Sequence, residues 1–177
     1  GLLAVWIAIE RRVGEPMVEL AAVASRPALL ANIATLFQGA GMFGLFVLTP
    51  QLAQQDPASG AGLGMGATGA GMLLAPGAIL MLLVGPASSR LGRRVGDHRV
   101  LALGSGLAGC GLALLAVGHG SVASVVAFSL VACAGLGCAF PAMPALVSVG
   151  IAPARVAEVV AFNAMMRGIG SAVGAQA

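Results

Sequence analysis

The chain has 177 residues, of which 59% are hydrophobic and 8% charged, with a net charge of +3. A soluble globular domain carries about 25% charged residues, so a water-soluble fold is excluded and the composition is that of an integral membrane protein. The cations are all arginine and lie in separate segments with no aromatic-interleaved basic face, which excludes a nucleic-acid interface, and the lysine-free, Ala-, Gly- and Val-rich usage points to a GC-rich bacterial source.

Taken in chain order, residues 1–9 read as the end of a spanning helix and 10–26 as a linker. A full apolar run follows at 27–50, then a loop carrying Asp56, then a second run at 63–87. A glycine-broken, arginine-rich hinge, GPASSRLGRRVGDHR, leads from there into a short run at 100–118. The run at 122–150 is long and interrupted by Pro141 and Pro144, and a last run covers 156–177. A helix needs ~20 residues at 1.5 Å each to cross ~30 Å of hydrocarbon, and each middle run meets or approaches that length. Barrel strands alternate apolar and polar residues over ~10 positions, which these runs do not. The expectation is an all-α helical bundle of about four full spans and two partial ones. The chain opens in mid-apolar sequence without Met and closes while a helix pattern still runs, which reads as a piece of a longer protein.

Charge placement gives the topology. All but one of the nine arginines fall in the segments 10–26, 85–99 and 151–155, which share one side if every run spans; the loops opposite hold none. By the positive-inside rule the arginine side is cytoplasmic. Small residues four apart allow close helix approach in lipid: Gly60 with Gly64, Gly62 with Gly66 and Gly170 with Gly174, while Gly104, Gly106, Gly109 and Gly111 crowd one helix. Pro76, Pro86, Pro141 and Pro144 are expected to bend helices. Cys110, Cys133 and Cys138 lie in apolar runs without His or carboxylate neighbours and read as packing residues, supporting neither disulfide nor metal site.

The hinge pins two helix ends at the membrane surface, and Gly92 and Gly96 permit a sharp reversal. Its arginines, Arg90, Arg93, Arg94 and Arg99, have guanidinium groups suited to helix-end carbonyls or to a carboxylate such as Asp97. Contacts of that kind form in one conformation and break in another, which makes them gate contacts; the alternative is an ordinary positive-inside anchor. Gly85, Ser89, Arg90, Gly92, Arg93 and Arg94 spell G-x-x-x-S-R-x-G-R-R. This resembles G-x-x-x-D-R-x-G-R-R, the signature between the second and third helices of each six-helix half of the major facilitator superfamily. Ser89 replaces the Asp that the resemblance casts as a cap on a neighbouring helix and a latch between halves. A neutral Ser fits the degenerate second-half copy, more anchor than latch. Residues 154–176, ARVAEVVAFNAMMRGIGSAVGAQ, are similar to the penultimate helices of the fourteen-helix drug:proton antiporter branch, where N-x-x-x-R-x-x-G is followed by further glycines; here these are Asn163, Arg167, Gly170 and Gly174. The opening ERRVGEPMVEL resembles the linker into that branch's second half, so the chain would run from the end of helix eight to most of helix thirteen.

The resemblance implies a non-enzymatic efflux transporter in a bacterial cytoplasmic membrane. It would export drugs or other small hydrophobic or cationic organic compounds by alternating access, with the proton gradient as driving force and no cofactor. Its partners would be the lipid bilayer and the remainder of the same chain. The alternatives are a non-transporting multi-helix membrane subunit or scaffold, and a metabolite importer of the same superfamily. Polar groups inside spans are the candidate cavity residues, because they are costly there. Asn32, Thr35 and Gln38 form a stripe on the first full span, facing either an aqueous cavity or another helix. Arg167 lies too deep in the last run to snorkel easily, and Asn163 is one turn away on the same face. Either a cavity role or a structural pairing would explain Arg167. Met42, Phe43, Phe46, Met72, Phe140, Met143, Phe162 and Met165 could supply an adaptable apolar lining. No Asp or Glu lies mid-run, so a proton-coupling carboxylate would lie elsewhere; Glu158 suits the positive end of the last helix.

Overall fold

The computed structural model describes residues 25–59 and 62–176, which are helices and connecting turns with no strand among them. The expected helix end at 1–9, the linker through residue 24, and Gly60 fall outside these residues.

Helix α1 (Arg26–Phe43) has a proline in its first turn, where a missing N–H costs nothing. It passes through a π turn (Gly44–Leu48) into α2 (Thr49–Gln54) without leaving helical geometry. In the π turn the Thr49 N–H reaches back to the Gly44 carbonyl, and the Thr49 hydroxyl donates to the same oxygen at 3.2 Å. Pro50 follows directly and has no N–H to offer the preceding turn, so the wide turn falls where α-helical pairing is already interrupted. Next come α3 (Ala67–Val95), α4 (Asp97–Val117), α5 (Val122–Val147) and α6 (Val156–Gly174). Helix α5 starts on a capping box between Ser121 and Ser124, which satisfies two orphan groups at its N-terminus. Among the described residues five helical segments are long and apolar enough to cross a membrane.

The prolines at 76, 86, 141 and 144 sit inside continuous helices. Pro141 cannot bond the Gly137 carbonyl; one residue on, the Ser88 hydroxyl of α3 donates to the Cys138 carbonyl and so links α3 to this weakened stretch of α5.

Helix α5 is the centre of one group and packs against both α4 and α3; α1 pairs with α6, and the two groups meet chiefly where α1 touches α5. Glycine makes the close contacts. A Cβ on Gly135 would overlap the Ala108 backbone of α4, and one on Gly104 would lie 2.8 Å from the Gly135 carbonyl oxygen. Gly111 meets Ala132 in the same seam, whereas Gly106 and Gly109 face open space. Between α1 and α6, Gly39 lies on the Arg167 carbonyl, Gly170 on the Leu36 carbonyl and Gly174 on Ala40. The other expected pairs differ. Residues 62–66 are not helical; Gly64, at φ +61°, donates its N–H to the Gln55 carbonyl (2.9 Å), and Met65 N–H reaches Ala53 (2.9 Å). Those glycines make a tight loop back onto α2, a role that four-residue spacing alone does not distinguish from helix packing.

Two apolar clusters form the core, one around Leu45, Leu73, Val125 and Leu136, the other around Ala31, Val100, Met143 and Val147. Large apolar side chains such as Leu30, Phe37, Leu82, Leu103 and Val117 point outward, as lipid requires and water forbids. Cys133 is buried against Gly77, while Cys110 faces outward. Arg26, His98 and Val149 line one cavity, and Leu52, Leu115 and His119 another. The helices therefore alternate in direction, and Arg26, Arg90, Arg93, Arg94, Arg99 and Arg155 gather at one end of the bundle.

Candidate functional site

The hinge is not a loop. Helix α3 continues through Arg93 and Arg94 to Val95, and Gly96 alone separates it from α4. Two facts explain the difference. At 1.5 Å per residue, the 29 residues of α3 extend about 43 Å, well past ~30 Å of hydrocarbon, so the last turns are free to be polar. Arginines in a last turn also meet the negative end of the helix dipole, so they stabilise the helix end. Gly85, Ser89, Arg90, Gly92, Arg93 and Arg94 are thus helical positions, and the turn rests on Gly96, at φ +94° and ψ 133°. Gly92 is buried because the Asp97 carboxylate lies directly on it; a Cβ there would overlap Oδ1. The Ser89 hydroxyl donates to the Gly85 carbonyl of its own helix at 3.2 Å and does not bridge to a neighbour. Arg90, Arg93 and Arg94 are exposed.

A side chain at position 96 would meet both backbone strain and the His98 ring, 2.8 Å from where its Cβ would stand. Gly96→Ala is therefore expected to destabilise the α3–α4 corner by about 1–3 kcal/mol. Thermal melting of the purified full-length protein checks this, with Gly71→Ala, which has open space, as the reference.

The polar stripe of α1 divides. Asn163 Nδ2 on α6 donates to Asn32 Oδ1 (2.9 Å) and to Thr35 Oγ1 (2.8 Å). Thr35 Oγ1 donates in turn to the Ala31 carbonyl (2.8 Å) and lies 3.0 Å from Met143 Sδ of α5. Asn32, Thr35 and Asn163 are all buried, at 4%, 0% and 1% exposure. Gln38 turns toward α4, where its Nε2 donates to Ser105 Oγ at 3.3 Å and its Oε1 is left buried without a donor. Of the two readings of the stripe, the geometry shows interhelical bonding, tying α1 to α6, α5 and α4. Interhelical hydrogen bonds in membranes contribute ~0.6 kcal/mol each on average.

Arg167 stands one turn beyond Asn163, apart from that network. Its guanidinium carbon is 4.6 Å from the Phe140 ring centroid on α5, and its Nε is buried without a hydrogen-bond partner. Twelve residues into α6, it lies about 17 Å along the helix, near the middle of the hydrocarbon. An arginine there costs ~2.5–3.5 kcal/mol on insertion scales, and stacking on an aromatic ring returns ~0.5–2 kcal/mol, so Phe140 offsets only part of it. The acidic residues among the described segments, Asp56, Asp97 and Glu158, all lie in a loop or at helix starts. Phe140 packs on the same apolar cluster as Met42, Phe46 and Met81, and these line a cavity of about 620 Å³ between α1 and α3 together with Gly85 and Pro86. The sequence named Phe140, Met143 and Met42 only as generic lining. The Phe140–Arg167 and Asn163–Asn32 pairings join residues far apart in the chain, and no periodicity carries them. Ser105, the partner of Gln38, had no signal at all.

A family model described as Major Facilitator Superfamily matches residues 5–175. The chain belongs to the Major Facilitator Superfamily. No curated protein and no solved structure matches it. Members of the Major Facilitator Superfamily are transporters rather than enzymes, so the apolar helices are spans of a multi-pass membrane transporter and the fold is a major-facilitator-type helical bundle. In a Major Facilitator Superfamily bundle the G-x-x-x-S-R-x-G-R-R segment is accordingly a helix end with a one-glycine corner, and Arg167, apart from the interhelical network, is the candidate site.

Proposed function

We propose that the chain belongs to a proton-driven exporter of hydrophobic organic compounds, working by alternating access in a bacterial cytoplasmic membrane with its arginine end inside. The observation that carries this reading is Arg167 on Phe140 at membrane mid-depth, with an apolar cavity of about 620 Å³ on the hydrophobic cluster that Phe140 also packs against. Transporter sites form near the midplane, and ligand sites are mostly apolar with a few placed polar groups. The resemblance of Asn163, Arg167, Gly170 and Gly174 to the drug:proton antiporter pattern supports the direction and the driving force. The titratable group such a cycle needs comes from outside the described spans.

The test is efflux of a hydrophobic fluorescent dye from cells expressing the intact gene, with and without a protonophore. Efflux that stops with the protonophore is the expected result; efflux that continues unchanged removes proton coupling, and absence of efflux removes export. In the same assay Arg167→Ala is expected to slow efflux by about tenfold, the equivalent of ~1.4 kcal/mol, with membrane insertion unchanged on a blot of the membrane fraction. Normal efflux by this variant would take Arg167 out of the site.

A further inference from the structure

We propose that Arg167 and Phe140 form a receptor for a single carboxylate at the middle of the membrane. The carboxylate comes either from the transported compound or from an acidic side chain elsewhere in the transporter. The proposal rests on the transporter reading and adds a chemical class to the site. Arginine keeps its charge at any physiological pH and has only donors. Among the described residues Arg167 makes no hydrogen bond and no ion pair; its one polar interaction is with the Phe140 ring. Its neighbours do not supply the missing acceptor. Glu158 is nine residues back on the same helix, about 13 Å along the axis. Asn163, one turn away, has its amide committed to Asn32 and Thr35.

The geometry favours a planar anion. The Phe140 ring leaves the guanidinium N–H donors without an oxygen acceptor, and a carboxylate takes such donors in pairs. Arg167 is half-buried, and the nitrogen buried without a partner is Nε, so its terminal nitrogens stay approachable. The apolar cavity walled by Met42, Phe46 and Met81 lies against the same cluster as Phe140 and suits the apolar body of such a molecule. Where the cargo supplies the carboxylate, the site takes aryl or alkyl carboxylates and repels cations, which narrows the cationic or hydrophobic range that the family resemblance implies.

The experiment uses the full-length transporter in lipid nanodiscs, with 1-naphthoate and the neutral 1-naphthamide as probes. If the cargo supplies the carboxylate, calorimetry will show naphthoate binding about tenfold tighter than naphthamide or better, the preference surviving in Arg167→Lys and vanishing in Arg167→Met. If another part of the transporter supplies it, neither probe is preferred, Arg167→Met strands that carboxylate and melts well below wild type, and Arg167→Lys and Phe140→Leu stay near it. The proposal is overturned if neither probe is preferred and Arg167→Met melts at or above wild type, or if Phe140→Leu melts as low as Arg167→Met, which would leave stacking as the whole role. Binding is read here without transport, so loss of dye efflux in cells would remove the export reading and leave this one standing.

Discussion

Gly170→Val is expected to force α1 away from α6 and to deplete folded transporter in the membrane, whereas Gly168→Val, two residues away, leaves it intact. The difference lies in what each new side chain meets. A Cβ on Gly170 would overlap the Leu36 carbonyl of α1, while Gly168 has nothing within 4 Å. Overpacking a side-chain core costs about 1–3 kcal/mol because neighbours give way. A helix carbonyl cannot swing aside without breaking its own bond, so the cost here lies at or beyond the top of that range. Gly39 and Gly174 make the same kind of backbone contact in this seam, so relief by sliding the helices would create a second clash. Thermal melting of the full-length protein followed by fluorescence-detected size exclusion measures both variants. Equal melting of the two would show that the α1–α6 seam is looser than described.

Asn163→Leu is expected to be the next most damaging change, and the damage should be reversible by further apolar substitution. The side chain donates to both Asn32 Oδ1 and Thr35 Oγ1. Replacing it strands a buried amide oxygen, at a cost of about 1–3 kcal/mol. Thr35 is less exposed to the loss because its hydroxyl still reaches the Ala31 carbonyl. Replacing Asn32, Thr35 and Asn163 together by Leu, Val and Leu removes donors and acceptors alike, and such paired removal is close to neutral. The triple variant should therefore melt near wild type, well above Asn163→Leu alone. If the triple melts no higher than the single, shape rather than hydrogen bonding decides the site.

The spans were legible because hydrocarbon demands long apolar runs, and those at 63–87, 100–118 and 122–150 show little else. The polar ends were less so. Read from composition, Arg90, Arg93 and Arg94 look like a loop, yet they ride on α3 because a helix that has left the hydrocarbon can present charge to water without ending. Gly60 through Gly66 carried the spacing of a packing motif, and for the described members, Gly62, Gly64 and Gly66, the same small residues instead serve a loop that folds back on Gln55 and Ala53. The membrane-depth polar residues stood out for the same reason the spans did, since each is an exception to hydrocarbon. Their pairing was hidden: Asn163 finds Asn32 across 131 positions, a matter of which helices neighbour each other, and single-sequence periodicity holds no such information.

A π turn holds one residue more than the α turn it replaces, so everything beyond it is advanced by about 100° around the axis. In the first span this lets one rod serve two unrelated surroundings. Before Gly44, Asn32 and Thr35 are aimed at α6; beyond Leu48, Thr49 and Ala53 are buried on their own side, and the Ala53 carbonyl takes the Met65 N–H. The extra residue is the phase correction between these halves. Losing one residue between Gly44 and Leu48 would barely shorten the span; it would turn its outer third like a key and carry Thr49 and Ala53 out of the bundle toward lipid.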